Sequence, residues 1–171
     1  MARVILLAGG NLGDVKRTLQ CAQQSVNSRI GAVLRCSHRY ESEPWGFRAD
    51  GRFFNQALEV STDLRPEEVL DAVQQIEREL GRNRAAETLE KASSGARYVS
   101  RPIDIDIIFY DDLVINSERL TVPHPRLAER EFALVPLCEI VRGRRHPVSG
   151  LTVGEMLDAL RANQIPDSCE K

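Results

Sequence analysis

The segment from Ile103 to Tyr110 limits the possible folds more than any other part of the chain. It is apolar throughout except at Asp104 and Asp106, and the alternation of a β-strand puts these two carboxylates on one face. Isoleucines occupy the opposite face, which other apolar groups must therefore cover. We predict a central strand of a sheet that packs against helices and keeps both aspartates away from the core.

Other periodic segments predict the order of the remaining strands and helices. Strands are expected at residues 3–8, 33–40 and 53–62, and helices between residues 14 and 31 and from 66 to 81. The polar stretch 82–100 predicts a surface loop, and residues 113–115 a short hairpin partner of the aspartate strand. Further helices are expected around 130–141 and 153–162. This β-α-β-β-α-β order predicts an α+β fold with a ferredoxin-like antiparallel sheet, helices packed on it and C-terminal helical additions.

Length, charge and cysteine usage narrow the class of protein. The 171 residues suit a single domain over residues 1–171, with a core from about 3 to 163 and a polar tail over 164–171. A formal net charge of -2 offers no global attraction to nucleic acid or anionic lipid, and no apolar run approaches the length of a membrane span. Four cysteines without a CxxC pair predict reduced thiols in a cytoplasmic protein. We expect small-molecule substrates, neither nucleic acid nor membrane as a partner, and leave protein partners unknown.

The aspartate pair has two interpretations that the strand pattern alone does not separate. Same-face carboxylates two residues apart lie roughly 6.5–7 Å from each other, and in a poorly hydrated cleft a divalent cation such as Mg²⁺ removes their repulsion. The alternative is the solvated acidic face of an edge strand. Arginines flanking the polar stretch favour the metal, because guanidinium forks fit phosphate oxygens and polyphosphates bind Mg²⁺; these arginines are Arg82, Arg84, Arg97 and Arg101.

Aromatic residues elsewhere indicate a second kind of ligand. Trp45 follows Pro44 in a punctuated loop, and Phe53 and Asn55 share one face of the next predicted strand. Aromatic faces with one amide suit a flat heterocycle, although core packing also explains Phe53. His124 lies between two prolines, where it either donates to a phosphate or is a surface histidine. No Walker A or GxGxxG motif is present.

Taken together, these segments resemble the 6-hydroxymethyl-7,8-dihydropterin pyrophosphokinases of folate biosynthesis, from Leu7 to about Ile140. The shared motifs are residues 8–14 (AGGNLGD), 40–46 (YESEPWG), 53–57 (FFNQA), 76–77 (IE), 81–84 (GRNR), 101–107 (RPIDIDI), 122–127 (VPHPRL) and 130–132 (REF). The chain departs from the family pattern at Gly10, where serine is usual, at Glu43, at residues 98–100, where Trp-Gly-Pro is common, and in a longer 85–96 segment.

The resemblance implies attack of the pterin hydroxymethyl oxygen on the β-phosphorus of ATP, which yields the pterin diphosphate and AMP. Two Mg²⁺ ions would be held by Asp104 and Asp106, while Arg82 and Arg101 would stabilise the transferring diphosphate. The implied pterin contacts are Ser42, Pro44, Trp45, Phe53, Asn55 and Phe132. The positions implied to contact ATP or to shape its pocket are Gln74, Glu77, Arg84, Arg97, Tyr98, Arg101, Ile107, His124 and Arg130.

Two other classes of protein fit parts of the pattern. A nucleotidyltransferase of the polymerase-β type also uses Asp-x-Asp, but it places a Gly-Ser pair shortly before its carboxylates, and Gly9-Gly10 lies far upstream of Asp104. A non-catalytic ferredoxin-like module that binds RNA needs sheet-face aromatics with a basic surround, whereas this chain is slightly acidic and poor in aromatics.

Overall fold

The computed structural model describes residues 1–43, 52–95 and 99–164, in which a five-stranded antiparallel sheet has helices on both faces and a two-stranded sheet stands apart. The sheet order is β2-β4-β1-β5, and β3 pairs with β4 beyond the end of β2. This order confirms the predicted α+β, ferredoxin-like sheet. The strands are β1 (Ala2–Gly10), β2 (Ala32–Cys36), β3 (Tyr40–Ser42), β4 (Phe53–Thr62) and β5 (Asp104–Tyr110).

Helices α1 (Val15–Arg29) and α2 (Pro66–Glu79) cover one face of the sheet. Asp14 begins α1 by accepting a hydrogen bond from the backbone N–H of Arg17, as an N-cap does, and Pro66 stands in the first turn of α2. Their apolar stripes pack on alternate residues of β1 and β5, and the buried set includes Leu6, Leu19, Val73, Ile103, Ile105 and Ile107. The isoleucine face predicted for β5 is therefore confirmed as core.

Helices α4 (Glu131–Val141) and α5 (Val153–Gln164) pack on the opposite face. Leu134 and Leu137 of α4 are buried there with Ile5 and Leu7 of β1. Phe132 lies in the first turn of α4. It packs against this core on one side and lines a cleft at the end of the sheet on the other. Asp104 and Asp106 lie on this same face, opposite Gly9 and Leu7 of β1.

The polar stretch 82–100, predicted as a surface loop, contains a helix instead. Helix α3 spans Arg84–Ser94; the Asn83 side chain caps its start by accepting from Ala86 N, and Gly95 (φ 68°) ends it in the left-handed conformation. Glu87 is its one buried residue. The prediction was wrong because this helix is anchored by a buried charge rather than by the apolar stripe that a periodicity argument needs.

Two strand predictions also need correction. The single strand expected over residues 33–40 is divided into β2 and β3, because the Ser37 hydroxyl accepts from Ala57 N and takes a place in the ladder. The short segment after β5 does not pair with it. Instead β6 (Ile115–Asn116) pairs with β7 (Thr121–Val122) in a separate two-stranded sheet.

The position of β5 within the sheet differs from the expectation as well. It lies at the edge and not at the centre, since β1 is its one neighbour in the sheet order of the described chain. The Pro-His-Pro segment crosses its outer side, where His124 N donates to Ile108 O at 3.1 Å. This segment brings His124 next to the aspartate pair. No helix within the described ranges is long and apolar enough to span a bilayer.

Candidate active site

The two aspartates lie at the end of the sheet where three strands, β3, β4 and β5, contribute polar side chains around Gly9 of β1. Gly9 of β1 is paired with Asn55 of β4 on one side and with Asp104 of β5 on the other. Ser42 of β3 accepts a hydrogen bond from Asn55 Nδ2 at 3.2 Å. Because Gly9 has no side chain, Asn55 and Asp104 face each other across an open strip of backbone, and a Cβ at Gly9 would lie 2.4 Å from Asn55 Oδ1.

Asp104 is held by two arginines. Its Oδ1 accepts from Arg82 Nη1 at 2.5 Å, and its Oδ2 lies 3.0 Å from Arg101 Nη2. Arg82 is itself buried, with 5% of its side chain exposed, and its remaining donors bind Glu77 and Glu87. Arg82 therefore contacts Asp104 from the buried side of the site, and Arg101 contacts the same carboxylate from the side that lines the cavities.

Asp106 has weaker polar partners. Its Oδ2 lies 3.4 Å from Arg130 Nη1 and 3.9 Å from His124 Nε2. Arg130 also lies over the Phe132 ring, 5.7 Å from its centroid. About a quarter of each aspartate side chain is exposed, 22% for Asp104 and 28% for Asp106. Both carboxylates are thus open to a ligand from one side.

The surrounding charges shift the pKa values of the two carboxyl groups in opposite directions. Burial disfavours ionisation of Asp104, but Arg101 and Arg82 outweigh it and hold the pKa of Asp104 below its usual value. Burial and the negative charge of Asp104 raise the pKa of Asp106 to about 7. Burial and the positive charge of Arg130 lower the pKa of His124 to about 4, so its ring is neutral at physiological pH. Ionisation of Asp106 is therefore disfavoured in the free site, and a bound cation would favour its anionic form.

An aromatic cleft opens on one side of the aspartates. It is partly open to solvent, and the aromatic rings of Phe53 and Phe132 line it, as suits a flat heterocycle. Four of the predicted pterin contacts line it, together with both aspartates, Arg101 and Arg130: Ser42, Phe53, Asn55 and Phe132. Pro44 and Trp45 lie outside the described residues.

A basic groove opens on the other side of the same pair. Both aspartates, Arg101 and Arg130 line it as well, so these four residues form the junction of the two cavities. The other predicted positions found along the groove are Gln74, Arg82, Arg84, Ile107 and His124. Apolar side chains of α2 complete its wall, which suits a ligand that is anionic at one end and flat at the other.

Some predicted positions do not reach either cavity. Glu77 has no exposed surface; its carboxylate accepts from Arg82, Arg84 and Ile105 N, so it reaches the groove only through these arginines. Arg97 and Tyr98 lie outside the described residues. Conversely, the groove is also lined by residues that were not predicted from the sequence, among them Lys91, Arg119 and Thr121. Because residues 84–94 carry no apolar stripe, no pattern indicated that Lys91 would face the groove, and Arg119 and Thr121 reach it through the way the β6–β7 hairpin folds back.

Gly10 stands at a close approach of two backbones, where the present geometry leaves no room for a side chain. A Cβ at this position would lie 2.3 Å from the carbonyl oxygen of Pro102 and 3.3 Å from that of Arg101. Asn11 fixes the same contact, because its N–H donates to Arg101 O and its Oδ1 accepts from Arg101 N. The start of the first motif is thereby tied to the segment that carries Arg101.

Comparison with known sequences agrees with this geometry. The profile of the family described as 7,8-dihydro-6-hydroxymethylpterin-pyrophosphokinase (HPPK) matches residues 5–142. A 2-amino-4-hydroxy-6-hydroxymethyldihydropteridine pyrophosphokinase from Porphyromonas gingivalis is 38% identical over 141 residues, which cover 82% of this chain and 91% of that protein. The Bacillus subtilis protein of the same name is 38% identical over 133 residues, covering 77% of this chain and 74% of its own.

Solved structures share the fold at lower identity. The HPPK-DHPS of Plasmodium falciparum, in a crystal structure with pteroate, superposes with a TM-score of 0.72 at 15% identity and covers 95% of this chain. A triple mutant of it gives 0.75 at 16% identity. This chain spans less than half the length of those proteins, 45% and 44% respectively, so they show the fold of this part alone. The family profile matches most of this chain, and the two bacterial relatives align with it over most of their own length. The chain therefore belongs to the HPPK family.

Proposed function

We propose that this chain transfers pyrophosphate from ATP to the hydroxymethyl group of 6-hydroxymethyl-7,8-dihydropterin in folate biosynthesis. The observation that carries the proposal is the junction of the two cavities. Asp104 and Asp106, with Arg101 and Arg130, line both the aromatic cleft and the basic groove. A transfer between a flat heterocycle and a polyphosphate needs its charged groups at such a meeting point.

The aromatic cleft is assigned to the pterin. Phe53 and Phe132 would stack on the ring, since aromatic side chains bind flat heterocycles face to face. Asn55 would read the ring edge: its amide is buried, and the Ser42 hydroxyl fixes its orientation from behind. Pro44 and Trp45 complete this set by resemblance to the family.

The basic groove is assigned to ATP. Arg84 and His124 would contact the nucleotide or its phosphates, with Gln74, Ile107 and Arg130 shaping the same wall. Arg97 and Tyr98 belong to this set by resemblance. The Nε of Arg101 is buried and donates no hydrogen bond to any residue in the described ranges. A bound anion would satisfy this donor.

The donor set at the junction suits Mg²⁺. Asp104 and Asp106 offer hard carboxylate oxygens, both open to the same side of the site, and a cation there would favour ionisation of Asp106, whose pKa burial and the charge of Asp104 raise. We propose that these two residues hold two Mg²⁺ ions, which would supply positive charge to the phosphates when bound. Within the described residues, no group of three or more His, Cys, Asp or Glu side chains is arranged to hold a metal ion.

The chain's own residues would act mainly by position and charge. The hydroxymethyl oxygen forms a bond to the β-phosphorus, the bond from that phosphorus to the bridging oxygen of the α-phosphate breaks, AMP leaves, and the hydroxyl proton passes to solvent. Arg101 would stabilise the charge that develops on the transferring group. Arg82 would contribute through Asp104, because its donors are bound to three carboxylates.

The identity of the nucleotide product tests this proposal. Purified protein with ATP, Mg²⁺ and 6-hydroxymethyl-7,8-dihydropterin should release AMP, and removal of Mg²⁺ by a chelator should stop the reaction. Asp104→Asn and Asp106→Asn should each lower turnover by about 100-fold or more, as expected when a charged metal ligand becomes neutral. Release of ADP would indicate a kinase, and release of pyrophosphate with a nucleotidylated product a nucleotidyltransferase. The cytoplasmic location stays a prediction from the sequence.

A further inference from the structure

Helix α3 touches the candidate active site through one buried carboxylate. Glu87 lies one turn into α3, with 11% of its side chain exposed, and both of its oxygens face Arg82. Oε1 accepts from Arg82 Nε at 2.9 Å and Oε2 accepts from Arg82 Nη2 at 3.2 Å. This paired contact between a carboxylate and one edge of the guanidinium is the geometry that fixes the plane of an arginine most firmly.

The rest of the Arg82 guanidinium leads to the aspartate pair. Its third nitrogen, Nη1, donates to Glu77 at 2.7 Å and to Asp104 Oδ1 at 2.5 Å. Because the guanidinium is planar and rigid, the plane set by Glu87 also sets the direction in which Nη1 points. Without Glu87 the group would be held through Nη1 alone and would be free to rotate about that nitrogen.

We propose that Glu87 is a positioning residue for pyrophosphoryl transfer, which orients the Asp104 carboxylate through Arg82. The inference rests on the proposed role of Asp104 as a Mg²⁺ ligand. It also gives helix α3 a function, because α3 delivers a carboxylate to the back of the site, where it acts without touching substrate. Groups that orient metal ligands typically change metal affinity or activity by about 10–100-fold when they are removed.

Substitution of Glu87 should therefore change metal binding and turnover together. Glu87→Ala should lower kcat and raise the Mg²⁺ concentration needed for half-maximal rate by about 10-fold or more, with the KM for the pterin nearly unchanged. Glu87→Asp, which keeps the two oxygens, should recover part of the loss. Glu87→Gln keeps the size but replaces one oxygen by a donor that faces Arg82, and should resemble alanine.

The pathway through Arg82 is tested by a double-mutant cycle. If Glu87 acts through Arg82, Glu87→Ala should have little further effect in an Arg82→Ala background. Glu90→Ala is the matched control, since Glu90 is an exposed residue of α3 whose carboxylate binds no group in the described part of the chain. It removes the same charge from the same helix and should leave kcat and the Mg²⁺ requirement unchanged.

Metal binding also needs a readout that is independent of turnover. Mn²⁺ should be titrated into the protein saturated with α,β-methylene-ATP, in which the bond to be cleaved is replaced. We expect about 10-fold weaker binding for Glu87→Ala and wild-type binding for Glu90→Ala. Circular dichroism and thermal unfolding of each variant show that the comparison is between folded proteins; if Glu87→Ala does not fold, Glu87→Gln takes its place.

The outcomes separate this inference from the proposed function. Wild-type Mn²⁺ affinity and turnover in a folded Glu87 variant, or additive effects in the cycle, would overturn the positioning role. Absence of AMP from the wild-type protein would refute the proposed function, whereas the Mn²⁺ titration would still decide whether Glu87 orients the aspartate. Weaker binding and turnover in Glu87→Ala with non-additivity toward Arg82 would support the inference.

Discussion

Replacement of Glu77 by alanine distinguishes a ligand contact from a structural role. The family resemblance predicts a loss of ATP binding, whereas the structure predicts a loss of stability. The family resemblance places it among the residues that contact ATP or shape its pocket. In the structure it has no exposed surface and its carboxylate accepts three hydrogen bonds. These come from Arg82 Nη1 at 2.7 Å, Arg84 Nη2 at 2.6 Å and Ile105 N at 2.8 Å. The structure therefore predicts that Glu77→Ala primarily destabilises the fold.

The size of the effect follows from what each partner loses. Removing one member of a buried ion pair destabilises proteins by about 3–5 kcal/mol. Arg82 keeps Glu87 and Asp104, and Arg84 is half exposed, so neither guanidinium is left wholly unpaired. The Ile105 N–H loses its acceptor inside the core. We therefore expect a value at the lower end, about 3 kcal/mol, or a fall in Tm of about 6–12 °C for a chain of this length.

Chemical denaturation and thermal unfolding without nucleotide measure this prediction directly. Glu79→Ala on the same helix is the matched control: Glu79 makes a 2.6 Å ion pair with Arg29, but both side chains are more than 40% exposed. Such a pair contributes about 0–1 kcal/mol. If Glu77→Ala unfolds like the wild type and only raises the KM for ATP, the carboxylate is a ligand contact and the reasoning from burial is wrong.

Three further predictions concern other parts of the molecule. Lys91→Ala should raise the KM for ATP by about 3–10-fold with little change in kcat, because Lys91 lines the basic groove; Lys16→Ala removes an exposed lysine outside that groove and should have no such effect. Gly10→Ala should lower the free energy of unfolding by about 1–3 kcal/mol, since its Cβ would meet backbone atoms that cannot rotate away. Denaturation of Gly143→Ala, where the added methyl group meets open space, provides the comparison. Phe132→Leu should weaken pterin binding by about 3–10-fold through loss of ring stacking, and equal pterin affinity in calorimetry would exclude Phe132 as a stacking partner.

Local pattern was enough to predict much of the fold and the centre of the site. The alternation of residues 103–107 put Asp104 and Asp106 on one face and buried the isoleucines, because strand geometry has a fixed period that no tertiary contact alters. Likewise α1 and α2 follow from their apolar stripes, caps and proline. The order of elements then restricted the sheet to a ferredoxin-like arrangement, which the structure confirms.

The tertiary structure alone decided how the charged residues are distributed. In a polar stretch of sequence, an arginine or glutamate that will be buried cannot be distinguished from one that stays solvated. Its burial depends on partners that come from distant segments of the chain. Arg82 is buried because Glu77, Glu87 and Asp104 converge on it from α2, α3 and β5. Helix α3 was missed for the same reason: its attachment to the molecule is that ion pair and not an apolar stripe. The amino-acid order thus determined which faces the side chains occupy, and the packing of α2, α3 and β5 determined which charges support the aspartates and which line the groove.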